Sequence, residues 1–215
     1  MSPKVTTAHE QEQRDRILEA ATRCFAQRGF HETTIQDICD AAGLSKGGLY
    51  TYFRSKDEIL AGLIERSLRE AQAWAISASE QGGASAQQRL DRIADTMIQR
   101  VLEGDGVKAS TPHLMLELWA EASKDPKLGD LLARGHAWWR AFIGELFRHG
   151  VAIGEFRADI DPEALAGIFV AMFDGLMLQE SVTKTKVDWR HVVGTMRRAL
   201  LEGIVTASTR RGQEA

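Results

Sequence analysis

Residues Thr33–Phe53, TTIQDICDAAGLSKGGLYTYF, decide the fold. The first half spaces Ile35, Ile38, Cys39 and Ala42 at intervals of three and four, as an amphipathic helix does. Thr33 and Thr34 stand three residues before Gln36 and Asp37, a capping-type spacing that marks its start. Gly43 ends it. Gly43-Leu44-Ser45 then reads as a compact turn in which Ser45 caps a second short helix, with Leu49 and Phe53 on one face. Two short helices joined by a glycine turn make a helix-turn-helix. The second helix carries adjacent glycines, Gly47 and Gly48, each costing about 1 kcal/mol against alanine in a helix interior. A helix that only packs inward has no use for them, whereas a helix whose backbone must approach another molecule does.

Charge says what that molecule is. The chain has 215 residues and a formal net charge of −3. Residues 1–56 hold eight Lys and Arg against seven Asp and Glu, or +1, leaving 19 against 23, or −4, for the rest. No acidic residue lies between Asp40 and Asp57, while Lys46, Arg54 and Lys56 all do. A local +3 beside paired glycines points to a polyanion. A helix-turn-helix places its second helix in the DNA major groove, N-terminal residues nearest the base edges. Gly47 and Gly48 then let the backbone approach the sugar-phosphate wall. Lys46 can reach a guanine edge or a phosphate, and the hydroxyls of Ser45, Tyr50, Thr51 and Tyr52 suit phosphate oxygens or bases. Lys56 and Thr34 add donors near helix N-termini, where the dipole favours an anion. Leu49 and Phe53 read as core; the two tyrosines, off that face, read as facing DNA.

The rest of the chain has no run of alternating β-branched residues and only four prolines, with apolar residues recurring at three and four. It reads as all-α, about nine helices, with an N-terminal helix-turn-helix domain over 1–56 and a helical ligand-binding and dimerisation bundle over 57–215. Helix 1 is expected over about 11–28, closed by Gly29. Ser55-Lys56-Asp57-Glu58 is a capping box opening a long helix 4 that bridges the two units. Asp125-Pro126 and Asp161-Pro162 each offer an N-cap followed by a proline at the first helical position, and Asp188 a further cap. The longest uninterrupted apolar run, Ala164–Phe173, is short of a membrane span, and the first sixteen residues are polar. A cytoplasmic protein with no membrane partner is expected, and Cys24 and Cys39 fit buried thiols of a reducing compartment.

Helix 8 is apolar on every side from Ile168 to Met172, which predicts neighbours all round. Paired with helix 9 and repeated in a second chain, it gives a four-helix dimer interface through Phe169, Met172, Val192, Met196 and Leu200. No nucleophile with a base, phosphate loop or paired carboxylate motif stands out, so an all-α enzyme is the remote alternative, and no cofactor is expected. His113, Glu117 and Glu121 lie four apart on helix 6, a spacing a metal can use, but a solvated face is the ordinary reading and no metal is expected.

The segment FAQRGFHETTIQDICDAAGLSKGGLYTYFRSKDEIL resembles the tetracycline-repressor (TetR) family of bacterial one-component regulators. Gly29-Phe30, Thr33-Thr34, Ala42-Gly43, Ser45-Lys46-Gly47, Leu49-Tyr50, Phe53 and Ser55-Lys56 stand in the family's spacing. LWAEASKDPKL and GEFRADIDPEALA are similar to one subgroup of its regulatory domains. Gly48 and Thr51 depart from the commonest pattern. The resemblance implies a homodimer that binds a palindromic double-stranded operator through Thr34, Ser45, Lys46, Gly47, Tyr50, Thr51, Tyr52 and Lys56, and a ligand cavity in residues 57–215; release by a small, largely apolar or aromatic effector is expected. A regulator that needs no ligand, or that activates, is the alternative. The implied cavity lies in the bundle, where Trp74, Met97, Met115, Trp119, Trp138, Trp139, Phe142, Phe169, Met172, Phe173 and Met177 supply an apolar, aromatic lining.

Overall fold

The computed structural model describes residues 7–80, 85–103, 112–183 and 185–205. Among them the elements are α1 (Thr7–Arg28), α2 (Ile35–Ala42), α3 (Lys46–Tyr50), α4 (Lys56–Glu80), α5 (Ala86–Glu103), α6 (Pro112–Ala122), α7 (Pro126–Ala152), α8 (Pro162–Thr183) and α9 (Trp189–Met196). A π-helical turn, Arg197–Leu201, and a last helical turn, Glu202–Ile204, follow α9. One antiparallel bridge, Phe156 to Val205, is the extended pairing among the described residues. The all-α expectation is what the structure shows.

Short side chains set the helix ends. Of the two threonines it is Thr34 that caps α2: its hydroxyl accepts from the Asp37 N–H, and the Asp37 carboxylate accepts from the Thr34 N–H. Gly43 closes the helix at φ +64°, returning its N–H to the Asp40 and Cys39 carbonyls. A side chain there is strained twice over, since a Cβ would also lie 2.9 Å from the Arg16 guanidinium. Asp125 caps α7, and Asp161 accepts from the Glu163 and Ala164 amides at 3.0 Å to start α8. At α4 the box is shifted by one residue: Ser55 accepts from Glu58 N–H at 3.1 Å, but the Glu58 carboxylate takes the N–H of Arg54 at 2.6 Å.

The amino-terminal core gathers Ile17, Phe25, Ile38, Leu49 and Phe53 with Ile59, Leu60, Leu63 and Ile64 of α4. Leu118 of α6 and Leu128 and Leu131 of α7 complete it. The unit expected over 1–56 therefore does not close its core alone; the first turns of α4 and two bundle helices are part of it. A second core joins α5, α7 and α8 around Leu90, Ile93, Ile143, Phe147 and Phe156. Beside it the buried Glu155 carboxylate accepts from the Ala86 and Gln87 amides at 2.7 and 3.2 Å and from the Ser85 hydroxyl, a negative charge on the positive end of α5.

Packing within one chain already uses part of the expected dimer face. Within one chain Phe169 is buried and Met196 packs on the same core, while Met172 and Val192 are half-buried. The side chain of Leu200 lies outside the described residues. The apolar side chains left in the open are Ile168, Leu178 and Val182, at 49%, 38% and 61% exposure. With Ala164, Ala171 and Gly175 they recur at four, three, four, three and four, a seven-residue repeat. Packing by the chain's own helices uses the Ala166, Phe169 and Met177 side, so the uncovered face is the opposite one.

Candidate nucleic-acid interface and effector cavity

Helix α3 stands on Leu49, fully buried, with Phe53 fully buried just beyond it. Ser45, Lys46, Gly47 and Thr51 are exposed and Tyr50 is 49% exposed, so one side of a short helix faces outward as a row. Ser45 Oγ accepts from Gly48 N–H at 3.1 Å, and Thr51 donates to the Gly47 carbonyl at 3.0 Å. Among the described residues, a Cβ built on Gly47 meets Ser45 Oγ only at 4.0 Å, and one on Gly48 meets it at an ordinary 3.4 Å. Internal packing does not demand glycine at either place.

Three expected contacts look different in the structure. Tyr52 is half-buried against the amino-terminal core, and its carbonyl accepts from Arg14 at 2.8 Å. It follows α3 rather than lying in it, so helical periodicity did not place its ring. The Thr34 hydroxyl is taken up in the α2 cap, donating to the Asp37 carboxylate at 2.7 Å. Its hydrogen bonds, and after them Arg28, hold the Asp37 carboxyl below its ordinary range, so the cap stays formed near neutrality. Lys56 is the clearest correction. Its ammonium donates to the carbonyls of Phe30, His31 and Thr33 at 2.6, 3.1 and 2.9 Å and sits 4.5 Å from the centre of the Phe30 ring. With three donors on three carbonyls, it braces the α1–α2 loop, and the outward charge of the segment falls to Lys46 and Arg54.

Lys56→Met is accordingly expected to cost at least about 2 kcal/mol, because hydrogen bonds to a charged group are each worth roughly 1.5–3 kcal/mol and, of the three carbonyls, only that of exposed His31 readily recovers water while Phe30 and Thr33 are buried. For a chain of this size that lowers the thermal midpoint by about 4–8 °C. The salt dependence of DNA binding should keep its wild-type slope. A slope shallower by about one unit with an unchanged midpoint would return Lys56 to the phosphates.

The bundle holds an open-mouthed cavity of about 90 Å³. Leu68, Ala71 and Trp74 of α4, Met97 and Val101 of α5, His136 and Trp139 of α7, and Phe169, Phe173 and Asp174 of α8 are in its walls. Of the expected lining, Trp74, Met97, Trp139, Phe169 and Phe173 are there. Trp119 and Met177 line a smaller slot that shares Phe173 and Asp174 with the main cavity. Trp138 and Phe142 do not line either; they stack at 4.9 Å and 11° and back Trp139 from outside. The Met115 side chain lies outside the described residues.

Sequence reasoning missed the polar part of the wall, since no local spacing ties its members together. His136 Nε2 lies 3.0 Å from Asp174 Oδ2, Glu70 reaches in from α4, and the Arg100 guanidinium stands 5.7 Å over Trp74. Glu117 and Glu121, two of the three residues at metal spacing, are turned onto the α1–α2 loop; the side chain of His113 lies outside the described residues. Among the described residues no group of three His, Cys, Asp or Glu is placed to hold a metal.

With this geometry the chain matches known proteins along its length. Residues 17–63 fit the model of bacterial regulatory proteins of the tetR family, and residues 86–205 that of the BetI-type transcriptional repressor C-terminal region. The chain belongs to the tetR family. Among its relatives are the HTH-type transcriptional regulator YfiR of Bacillus subtilis, 28% identical over 82% of this chain and 84% of that one, and UidR of Escherichia coli, 25% identical over 91% and 94%. A transcriptional regulator from Saccharomonospora viridis, solved in complex with choline, superposes with a TM-score of 0.77 at 29% identity, covering 91% of this chain and 99% of that one. Salmonella enterica GusR gives 0.69 at 27%, over 93% and 99%. The tetR-family chain is thus a DNA-binding transcriptional regulator, not an enzyme, and its relatives include a ligand-bound regulator.

Proposed function

We propose that this regulator represses transcription by binding a palindromic operator as a homodimer, and that a small effector in the bundle cavity releases it. One observation carries the reading: α4 is a single helix with its first turn in the amino-terminal core and Leu68, Ala71 and Trp74 in the cavity wall. Its rise puts Trp74 about 27 Å from Lys56, so one rigid rod touches both sites. Ser45, Lys46, Gly47, Gly48, Tyr50 and Thr51 are the groups assigned to DNA, with Tyr52 and Thr34 reaching the backbone at most through their edges. The α8 seam and α9 meet their copies across the twofold axis. The apolar length of α8, enough by composition to cross a membrane, is accounted for by the core on one side and a second chain on the other, which fits a cytoplasmic protein.

The effector we propose is an organic cation on an apolar body. Trp139 and Phe173 offer ring faces beside the Trp74 ring that Arg100 covers, and the wall carries the carboxylates of Glu70 and Asp174, the first also near Arg66 and the second paired with His136. The choline-bound relative supports that class. The test of the whole reading is selection from a random duplex library followed by titration. The expected result is an enriched palindrome bound at least a thousandfold more tightly than random duplex, with Lys46→Ala eroding that ratio. Equal affinity for both duplexes would remove the reading.

A further inference from the structure

Helix α6 belongs to the bundle, yet two of its carboxylates end on the loop that leads into the helix-turn-helix. Glu117 Oε2 accepts from the Phe30 backbone N–H at 2.5 Å, across a separation of 87 residues. Its other oxygen fills the space over Gly29, where a Cβ would lie 2.8 Å away; Gly29 also has φ +83°, so the residue is glycine for two independent reasons. One turn on, Glu121 lies 3.2 Å from His31 Nε2 and 2.9 Å from Lys124. The same loop is held from its other side by Lys56, which takes the Phe30, His31 and Thr33 carbonyls. The peptides on either side of Phe30 are thus clamped between an anion on their N–H and a cation on their C=O. Phe30 itself is buried with its ring on Phe25. Thr34, the cap that fixes where α2 begins, comes four residues later.

We infer that Glu117 is a positioning residue for operator recognition: through the Phe30 amide it sets the entry of α2, and hence the seat of α3, from the bundle side. It does not touch DNA. What makes this more than a domain contact is the other side of α6. Leu116 and Trp119 line the slot that shares Phe173 and Asp174 with the main cavity, and Leu118 is buried in the amino-terminal core. A shift of the cavity wall therefore meets Glu117 by way of one short helix, a route separate from α4. The inference rests on the reading that the chain selects a palindromic operator.

The experiment compares wild type, Glu117→Ala and Glu117→Gln on the palindrome selected by the wild-type protein and on random duplex of equal length. Without the carboxylate the loop samples other placements, and affinity falls in proportion to the competent fraction. Glu117→Ala is expected to bind the palindrome roughly tenfold more weakly with random-duplex affinity close to wild type; its thermal midpoint falls by several degrees, since a charged acceptor on the buried Phe30 N–H is lost, so both duplexes are titrated well below it. Glu117→Gln keeps an acceptor for the Phe30 N–H and should stay within about threefold. Hydrogen exchange at the Phe30 amide should quicken in Glu117→Ala and not in Glu117→Gln. Unchanged palindrome affinity in Glu117→Ala, parallel loss on both duplexes, or a tenfold loss in Glu117→Gln would each overturn the assignment. If the wild type selects no palindrome, the repressor reading fails while the exchange arm still decides whether Glu117 holds the loop.

Discussion

Ile168→Glu is expected to give a soluble monomer that has lost specific operator binding by about a thousandfold. The size follows from counting half-sites. A dimer engages the second half-site as an intramolecular event, which raises overall affinity by roughly 10²–10⁴ over one module alone. The chemistry follows from α8: Ile168 is half-exposed on a seven-residue apolar repeat, and Gly167 and Gly175 have open space around them among the described residues, so two helices can approach closely there. A glutamate in that seam would be buried against the partner chain, and an unpaired buried charge costs several kcal/mol. Phe169→Glu would give an ambiguous result, because Phe169 is part of the chain's own core and the charge would unfold it. Sedimentation distinguishes the two: Ile168→Glu should keep its helix content and fall to the mass of one chain. A dimer of undiminished stability would show that another face mates.

The local elements were legible because each is specified by residues close together. Thr34 with Asp37, Gly43 and Ser45 fix the helix-turn-helix within a dozen positions, and Asp125-Pro126 and Asp161-Pro162 announce their helices. The site was legible only as far as periodicity reaches. Leu49 inward and Tyr50 outward follow from the helical repeat, whereas Tyr52, beyond the end of α3, does not. The charge and helix-terminal place of Lys56 fit a phosphate ligand; nothing local says that three carbonyls some 25 residues earlier come within reach. The polar cavity wall was hidden for the same reason, since His136 and Asp174 meet only once α7 and α8 pack. The α8 seam is the opposite case. Its repeat stood in the sequence, but a helix apolar all round offers two stripes, and only packing shows that the chain itself uses the one bearing Phe169.

An organic cation that fills the bundle cavity is expected to lower operator affinity by between 5- and 150-fold, the range of a coupling of 1–3 kcal/mol. The lever is α4. Two recognition helices read one palindrome only if they sit about one DNA turn apart, roughly 34–36 Å, or a multiple of it. A ligand that pushes Leu68 and Trp74 away from Phe173 tilts a rod whose far end, Ile59 and Leu60, is buried in the amino-terminal core. The ligand must therefore prefer the arrangement that misfits DNA, and linkage makes the effect reciprocal: saturating operator weakens the cation by the same factor. Choline and its neutral isostere 3,3-dimethylbutan-1-ol separate charge from shape, with Trp74 and Trp139 fluorescence reporting occupancy. Choline should bind more tightly than the isostere, and Trp139→Ala should narrow the difference by roughly 0.5–2 kcal/mol, the worth of one ring face to a cation. Trp139→Ala removes the neighbour of the Trp74 ring but none of the contacts of α4 and α6 with the amino-terminal core, so any choline that still binds at higher concentration should release the operator by the wild-type factor. A cation shown to occupy the cavity that left operator affinity unchanged, with operator leaving its affinity unchanged in return, would break the link between the two ends of α4 while leaving DNA recognition by α3 intact.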